Sequence, residues 1–244
     1  MTNEFGRRSV EETSFGQRIA DTLGLVQATL PVQRRMVHAG DAIYQVGQEF
    51  GSLYLVNSGL VKMVNLSSEG REQVVALHFR GDWLGLDGSS GGAYRCDAVA
   101  MDTGEVWSFR YSDLLQTAVR APALLGALHE AMSRQLASDH ESFQSLCALP
   151  ADARVAGFLH YWAEAMAKRG LRTDQISLRM TRAEIGNYLG MTLETVSRAL
   201  SRLARGDVIR FLEKGRREIH IPEVEALTSF MRRVATPVDA RACH

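Results

Sequence analysis

The chain has 244 residues, of which 28 are Lys or Arg and 28 are Asp or Glu, so its formal net charge at pH 7 is zero. This length allows one large domain or two ordinary ones, and no stretch approaches the ~20 apolar residues of a membrane helix. Arg7 and Arg8 are not followed by an apolar segment, which argues against a signal peptide. We therefore expect a cytoplasmic protein. Its cysteines, Cys96, Cys147 and Cys243, should be reduced thiols, because they are far apart and show no zinc or iron–sulfur spacing.

The first part of the chain predicts a β-rich domain. Residues 1–20 are polar, and we expect them to be mobile, with a short helix over residues 13–28. Short β-rich runs separated by turn signals follow, at residues 35–38, 53–57, 60–66, 73–79, 93–101 and 106–109. Many short strands at regular turn spacing indicate a sandwich, jelly roll or barrel. No helix-length pattern separates the strands, so a doubly wound sheet is excluded.

Helical periodicity returns at Tyr111, and Pro122 is well placed as the first residue of a long helix that extends to Leu146. Such a helix carries an apolar stripe that packs either on the chain's own sheet or against the same helix of a second chain. The stripe consists of Leu125, Leu128, Met132, Leu136, Phe143 and Leu146. Asp139 lies close to it, and two such carboxylates facing each other across a two-fold axis would repel.

Residues 148–151, Ala-Leu-Pro-Ala, predict a hinge, because a proline disfavours helix at the residue before it. Asp152 is predicted to cap the next helix, which ends near Gly170. The inward residues of that helix are Val155, Phe158, Leu159 and Trp162. A short strand over residues 176–180 follows.

The run from residue 180 to residue 205 predicts two short helices joined by a tight turn. Thr181 and Glu184 have the spacing of a capping box, Gly190 supplies a left-handed stop, and Thr192 caps the second helix. The buried stripe of the second helix is Leu193, Val196, Leu200 and Leu203. This arrangement is a helix-turn-helix, and because that motif usually reads paired half-sites as a dimer, we favour a two-chain seam for the long helix.

The outward face of the second helix suits contact with DNA bases. Arginine can fork onto guanine, glutamate can accept from the cytosine amino group, and serine can add hydrogen bonds. An ordinary solvated face with an i,i+4 ion pair between Glu194 and Arg198 is the alternative interpretation. The face carries Glu194, Thr195, Ser197, Arg198, Ser201 and Arg202.

Positive charge is concentrated in the same region, although the whole chain is neutral. Residues 172–217 contain ten Lys or Arg against five Asp or Glu, a local net charge of +5. Such asymmetry is typical of a polyanion site. Strands at residues 208–212 and 218–221 flank a basic tip, which predicts a wing whose cations meet phosphates. The predicted contacts to the DNA backbone are Thr181, Arg182, Thr192, Thr195, Arg202, Lys214, Arg216 and Arg217. One more helix is predicted over residues 223–233, followed by a loose tail.

A β-roll, a long helix, a hinge and a winged helix-turn-helix together resemble the CRP/FNR family of bacterial transcription regulators. The resemblance covers about residues 33–221. In the first half of the chain it rests on Gly40-Asp41 and on residues 53–62 and 81–85. In the second half it rests on residues 180–198, a run that is similar to the FNR branch of the family. The fold this implies is α+β. Its domains are an N-terminal extension (1–30), a β-roll sensor domain similar to cyclic-nucleotide-binding domains (31–120), a dimerisation helix (121–147), a winged helix-turn-helix (151–225) and a tail (226–244).

The resemblance also implies a function. In the FNR branch, a Glu-x-x-Ser-Arg pattern touches bases, and the matching residues here are Glu194, Ser197 and Arg198. It implies a homodimer that reads a palindrome close to TTGAT-N4-ATCAA in double-stranded DNA. It further implies that the protein contacts RNA polymerase and regulates transcription, usually as an activator.

Some positions depart from the family pattern. The chain has no cysteine before Cys96, so we expect no iron–sulfur cluster. Leu86 stands where the cyclic-AMP pattern has a glutamate. Arg95 could be the phosphate-binding arginine, but Cys96 follows it in place of serine or threonine. We therefore do not expect cyclic AMP to be the ligand, and we keep regulation by a cyclic nucleotide or another small ligand as the alternative function.

Cys147 and the histidines raise two minor hypotheses, a redox thiol and a haem ligand. Cys147, at the end of the long helix, could be a redox thiol, although a free cysteine is more often a small buried hydrophobe. A haem held by a histidine is not excluded, but the seven histidines show no ligand spacing. No metal set and no nucleophile–base pair has diagnostic spacing, so we predict no metal site and no enzymatic activity.

Overall fold

The structure, a computed structural model, describes residues 3–66, 72–212 and 217–235, with side chains from residue 15 onward. The chain forms two compact units, Met1–Asp139 and His140–His244. The predicted α+β class is confirmed: the first unit holds a β-roll with helices, and the second holds a helix-turn-helix and a small sheet of its own.

The described helices are α1 (Asn3–Thr29), α2 (Tyr111–Ala118), α3 (Ala123–Ala148), α4 (Ala151–Ala167), α5 (Arg182–Tyr188), α6 (Leu193–Arg205) and α7 (Val224–Ala235). The described strands are β1 (Gln33–Val37), β2 (Ala42–Tyr44), β3 (Ser52–Ser58), β4 (Val61–Leu66), β5 (Glu72–His78), β6 (Trp83–Leu84), β7 (Asp97–Ala100), β8 (Gly104–Arg110), β9 (Gln175–Ser177), β10 (Arg210–Phe211) and β11 (Glu218–His220). Of the helices just named, none combines the length and apolar character that a bilayer crossing requires.

Two antiparallel four-stranded sheets build the roll, with strand orders β1-β8-β3-β6 and β2-β7-β4-β5. The chain crosses from the first sheet to the second between β3 and β4, at Gly59. Its φ is +88°, and a β-carbon there would lie 3.0 Å from the Gly104 α-carbon, so this crossover requires glycine. Side chains from both sheets, among them Val56, Val61 and Val106, form a core between the sheets.

Beyond shifts of one to three residues at strand ends, the strand predictions differ from the structure in three places. The run at residues 93–101 forms a strand only from Asp97, because the Arg95 amide donates to the Asp87 carboxylate at 2.9 Å instead of joining a ladder. Strands β2 and β6 were not predicted, because three and two residues are too short to show an alternating pattern.

Helix α1 is longer and more deeply packed than predicted. It begins at Asn3, ten residues before the predicted start at residue 13, and the expectation of a mobile segment over residues 1–20 is wrong at Ile19, which is buried. Ile19, Leu23 and Val26 are at most 5% exposed and share a core cluster with Leu53 and Trp83 of the roll. Their spacing along the helix places them on one face.

In the second unit, α3 ends at Ala148 and α4 begins at Ala151, so the helix is interrupted at the predicted place. The N-cap of α4 is Pro150, and Asp152 lies in the first turn; the prediction that Asp152 caps the helix is therefore wrong. Proline is common at the start of a helix, where its missing N–H has no intrahelical partner to lose. The predicted inward residues are buried: Val155, Phe158, Leu159 and Trp162. A three-stranded sheet of order β10-β11-β9 completes this unit.

Candidate nucleic-acid interface

Helix α5 begins with the predicted capping box. The Thr181 hydroxyl accepts a hydrogen bond from the Glu184 amide at 3.2 Å, and the Glu184 carboxylate accepts from the Thr181 amide at 2.8 Å. Both bonds satisfy amides that have no partner inside the helix. The start of the first helix of the motif is therefore set by local sequence.

The turn between α5 and α6 depends on two glycines. Gly190 has a φ of +62°, in the left-handed region, as its position in the motif predicted. Gly186, inside α5, was missed: its carbonyl accepts from the Met191 amide at 2.8 Å, and a β-carbon on it would lie 2.5 Å from the Met191 oxygen. The sequence signal for this close approach was a glycine inside a short helix, four residues before the turn glycine.

Helix α6 is capped by Thr192, whose hydroxyl accepts from the Thr195 amide at 3.3 Å. Its buried side is formed by Val196, Ala199, Leu200 and Leu203. Leu193, predicted in this stripe, is 45% exposed, so that prediction is wrong. Helical periodicity tells which face an apolar residue occupies, but not how far along the helix the neighbouring core extends.

The three predicted base-contacting residues lie on the outward side of α6. Glu194 and Arg198 are exposed, and Ser197 is half-buried. The Arg198 Nε donates to the backbone carbonyl of Glu194 at 3.4 Å, which differs from the side-chain ion pair considered above. Hydrogen bonds from the Glu194 amide and the Thr192 side chain lower the pKa of the Glu194 carboxyl below its ordinary value. Glu194 is therefore a carboxylate acceptor at neutral pH.

The residues predicted to contact the DNA backbone differ in their surroundings. Thr181 and Thr192 cap the two helices, and Thr195 lies 3.1 Å from the Thr192 hydroxyl. The Arg182 guanidinium stacks on the Phe211 ring, with Cζ of Arg182 5.5 Å from the ring centroid. Arg217 is exposed just before β11. Lys214 and Arg216 lie outside the described residues.

Helix α4 contributes two contacts that the sequence did not predict. Arg202, expected to meet a phosphate, is held by Asp152: its Nε donates to Oδ2 at 2.5 Å, and its Nη2 donates to Oδ1. This pairing raises the pKa of Arg202 above its ordinary value. Arg154 donates from Nη1 to the carbonyl of Leu189, the C-cap residue of α5, at 2.8 Å. Both helices of the motif are therefore tied to the first turn of α4.

The stripe proposed as a dimer seam changes character along α3. Leu128 is 6% exposed and packs in the roll's core cluster, and Leu125 packs partly against the same cluster. Met132, Leu136 and Phe143 are 41%, 59% and 67% exposed. The uncovered apolar residues are therefore Met132, Leu136, Phe143 and Leu146. The Asp139 carboxylate is also exposed and accepts from the Gln135 side chain at 2.8 Å.

The positions of the roll that were compared with the cyclic-AMP pattern are Leu86, Arg95 and Cys96. Tyr94 stacks on Tyr44 with 4.1 Å between ring centroids. The Asp87 carboxylate accepts from the Arg95 amide at 2.9 Å and from the Cys96 thiol at 3.4 Å. Burial and the Asp87 charge raise the pKa of Cys96 to about 12. Leu86 is half-buried, and Arg95 is exposed.

The two cysteines that the structure describes differ in exposure. Cys147 is exposed, whereas Cys96 is buried, and both are free. Cys243 lies outside the described residues. Where the structure describes side chains, it contains no group of three His, Cys, Asp or Glu residues that could hold a metal ion.

Two family models match the chain, one in each unit. Residues 34–120 match a cyclic nucleotide-binding domain, and residues 153–230 match a Crp-like helix-turn-helix domain. The first match covers the roll, and the second covers the helix-turn-helix with its sheet.

Whole proteins and solved structures give the same result. The chain is 32% identical over 177 residues to the fumarate and nitrate reduction regulatory protein of Vibrio cholerae, covering 72% of this chain and 71% of that protein. It is 34% identical over 187 residues to the transcriptional activator protein Anr of Pseudomonas protegens, covering 77% and 75%. The structure of FixK2 from Bradyrhizobium japonicum matches with a TM-score of 0.72 at 30% identity, over 88% of this chain and 100% of that one.

Proposed function

This chain belongs to the CRP/FNR family of transcription regulators, and from that premise we propose that it binds a palindrome close to TTGAT-N4-ATCAA as a homodimer and activates transcription. Its partners are then double-stranded DNA, a second copy of itself and RNA polymerase, in the cytoplasm. The division into a sensor roll, a dimerisation helix and a DNA-binding domain belongs to the same proposal. We assign no catalytic step to the chain.

The observation that carries the proposal is the surface of α6. Glu194 and Arg198 are exposed, one helical turn apart, at the capped start of a helix whose opposite side is buried. In helix-turn-helix proteins, the N-terminal residues of this second helix contact base edges in the major groove. Arginine matches guanine and glutamate matches cytosine, the two members of the G·C pair in each TTGAT half-site. Leu193, exposed beside Glu194, adds an apolar surface suited to a thymine methyl group.

Dimerisation is supported by the uncovered part of α3. A palindrome presents two identical half-sites, and a two-fold dimer matches that symmetry. The exposed Met132, Leu136 and Phe143 are large apolar residues on one helix, which a second chain could bury.

A gel-shift titration tests the proposed function. The wild-type protein should bind TTGAT-N4-ATCAA tighter than a scrambled duplex of the same composition by a factor of about 10³ or more at physiological salt. Equal affinity for the two duplexes at that salt would remove the sequence-specific claim.

Control by a small ligand is the second candidate function, and the match of residues 34–120 to a cyclic nucleotide-binding domain favours it. Calorimetry with cyclic nucleotides separates the two candidates. Heat of binding together with tighter DNA binding in its presence would support ligand control. Absence of heat, with full DNA binding by the protein alone, would support a regulator controlled by its abundance.

A further inference from the structure

We propose that Asp152 is a positioning residue for DNA binding, which holds the Arg202 guanidinium in place to contact a phosphate of the bound duplex. The inference rests on the proposed DNA-binding function, and it assigns a role in that function to a residue outside the helix-turn-helix.

The geometry of the pair leaves Arg202 able to bind. Asp152 accepts from Nε and from Nη2, so both oxygens of the carboxylate lie along one edge of the guanidinium. A guanidinium has five N–H donors, and three of them remain after this pairing. The Arg202 side chain is 41% exposed, whereas that of Asp152 is 18% exposed. The carboxylate is thus the more enclosed partner, and the donors that the pair leaves to a ligand are the two hydrogens of Nη1 and the second hydrogen of Nη2.

Arg202 also lies on the appropriate side of α6. Glu194, Arg198 and Arg202 follow one another at intervals of four residues, so they occupy adjacent turns on one side of the helix. When the first turns of such a helix contact base edges, residues further along that side are closer to the sugar-phosphate backbone. Arginine is well suited to a phosphate, because its planar fork can form two parallel hydrogen bonds.

The pairing favours a positioning role for Asp152 over a role in withdrawing Arg202 from DNA. An arginine side chain loses much rotational freedom when it is fixed, and the bidentate pair fixes it before DNA arrives. Lower ordering cost on binding increases affinity. A carboxylate behind the guanidinium lies further from the phosphate than the guanidinium does, and solvent and salt screen the repulsion between the two anions.

The chain supplies a matched control in the same unit. Arg172 and Asp174 form a second bidentate pair, with Nε to Oδ1 at 3.0 Å and Nη2 to Oδ2 at 2.8 Å. This pair lies before β9 and not on α6. Asp174→Asn and Asp152→Asn each remove one negative charge from the unit, so a pure charge effect would have the same sign in both variants and would tighten DNA binding.

The experiment measures affinity for TTGAT-N4-ATCAA with full-length wild type, Asp152→Asn, Arg202→Ala, the double variant and Asp174→Asn. Asp152→Asn and Arg202→Ala should each weaken binding about three- to tenfold, the size of one ordinary hydrogen-bonded contact. The double variant should bind no more weakly than Arg202→Ala alone, because Asp152 acts through that arginine. Asp174→Asn should bind as tightly as wild type or slightly tighter.

Three results would overturn the inference. Asp152→Asn could bind as tightly as wild type or tighter, which would mean that the carboxylate does not help Arg202 to bind. The losses could add in the double variant, which would indicate a structural effect on α4 that does not involve Arg202. Arg202→Ala could bind like wild type. Failure of the wild-type protein to prefer the palindrome would instead reject the proposed function itself.

Discussion

Gly186 of α5 lies so close to the carbonyl oxygen of Met191 that a β-carbon on the glycine would be 2.5 Å from that oxygen. Gly186→Ala should therefore force α5 away from the turn and destabilise the second unit by about 1–3 kcal/mol. Thermal unfolding followed by circular dichroism measures this loss, and DNA affinity should fall with it.

Gly24→Ala is the control for Gly186→Ala, because Gly24 is an exposed position in α1 with open space around it. Replacing glycine by alanine inside an unstrained helix is stabilising by about 0.5–1 kcal/mol. The two substitutions should therefore change the free energy of unfolding in opposite directions. Equal stability of Gly186→Ala and wild type would show that the turn can adjust to a β-carbon.

Arg198→Ala should remove discrimination at one base pair of each half-site. We expect a loss of about 1–3 kcal/mol per half-site, and little further loss when its guanine is replaced, because the arginine proposed to read the guanine is absent. Arg217→Ala should instead weaken binding to all sequences alike and reduce the salt dependence by about one counterion per protomer. Titrations over several salt concentrations measure both effects. If Arg198→Ala weakened every duplex equally, its assignment to a base would be wrong.

Asp139→Ala should shift the monomer–dimer equilibrium toward the dimer. The carboxylate is exposed on α3 near Leu136, and two copies facing each other across a two-fold axis would repel. Leu136→Glu, which adds a charge at an apolar exposed position, should shift the equilibrium the other way. Sedimentation velocity over a range of concentrations measures both constants. An unchanged constant for Asp139→Ala would contradict the facing arrangement.

Leu23→Ala should destabilise the roll by about 2–5 kcal/mol, because it removes a buried side chain that is 5% exposed. The result would show that α1 is part of the roll's core. Gln27→Ala, on the exposed side of the same helix, should change stability by no more than about 0.5 kcal/mol. Urea unfolding compares the two variants. Equal midpoints would mean that α1 adds little to the stability of the roll.

Cys96 should resist alkylation, whereas Cys147 should react. The pKa of Cys96 rises from an ordinary 9.0 to about 12, chiefly because the thiol is buried, with a further contribution from the Asp87 carboxylate. Only the thiolate is nucleophilic, so Cys96 stays unreactive at pH 7 to 9. Mass mapping after iodoacetamide treatment, native and in urea, separates the sites. Fast labelling of native Cys96 would contradict its burial.

The raised pKa of Cys96 also makes the stability of the folded protein depend on pH above 9. The folded state favours the neutral Cys96 thiol, so this contribution is complete below pH 9 and is lost as pH rises toward 12. Cys96→Ala should therefore show a smaller fall in unfolding free energy between pH 9 and pH 11 than the wild type. An identical pH dependence for both proteins would contradict the raised pKa.

The sequence by itself determined the local features of this protein. The capping box at Thr181, the cap at Thr192 and the left-handed Gly190 each depend on residues within a few positions, and all three are present in the structure. The succession of turn signals predicted a domain of many short strands, a sandwich, jelly roll or barrel, because each turn signal also spans only a few residues. Both helices of the candidate site could be predicted, because α5 and α6 carry these signals in one continuous run.

Only the tertiary structure decided which distant residues meet. Asp152 pairs with Arg202 across 50 positions, and Arg154 reaches Leu189 across 35. Leu193 is exposed because no other element that the structure describes covers it, and α1 is buried because it packs in the core cluster that contains Trp83. Neither outcome can be read from the helix alone. Periodicity and capping describe one element at a time, whereas these contacts form between elements whose separation along the chain leaves no local pattern.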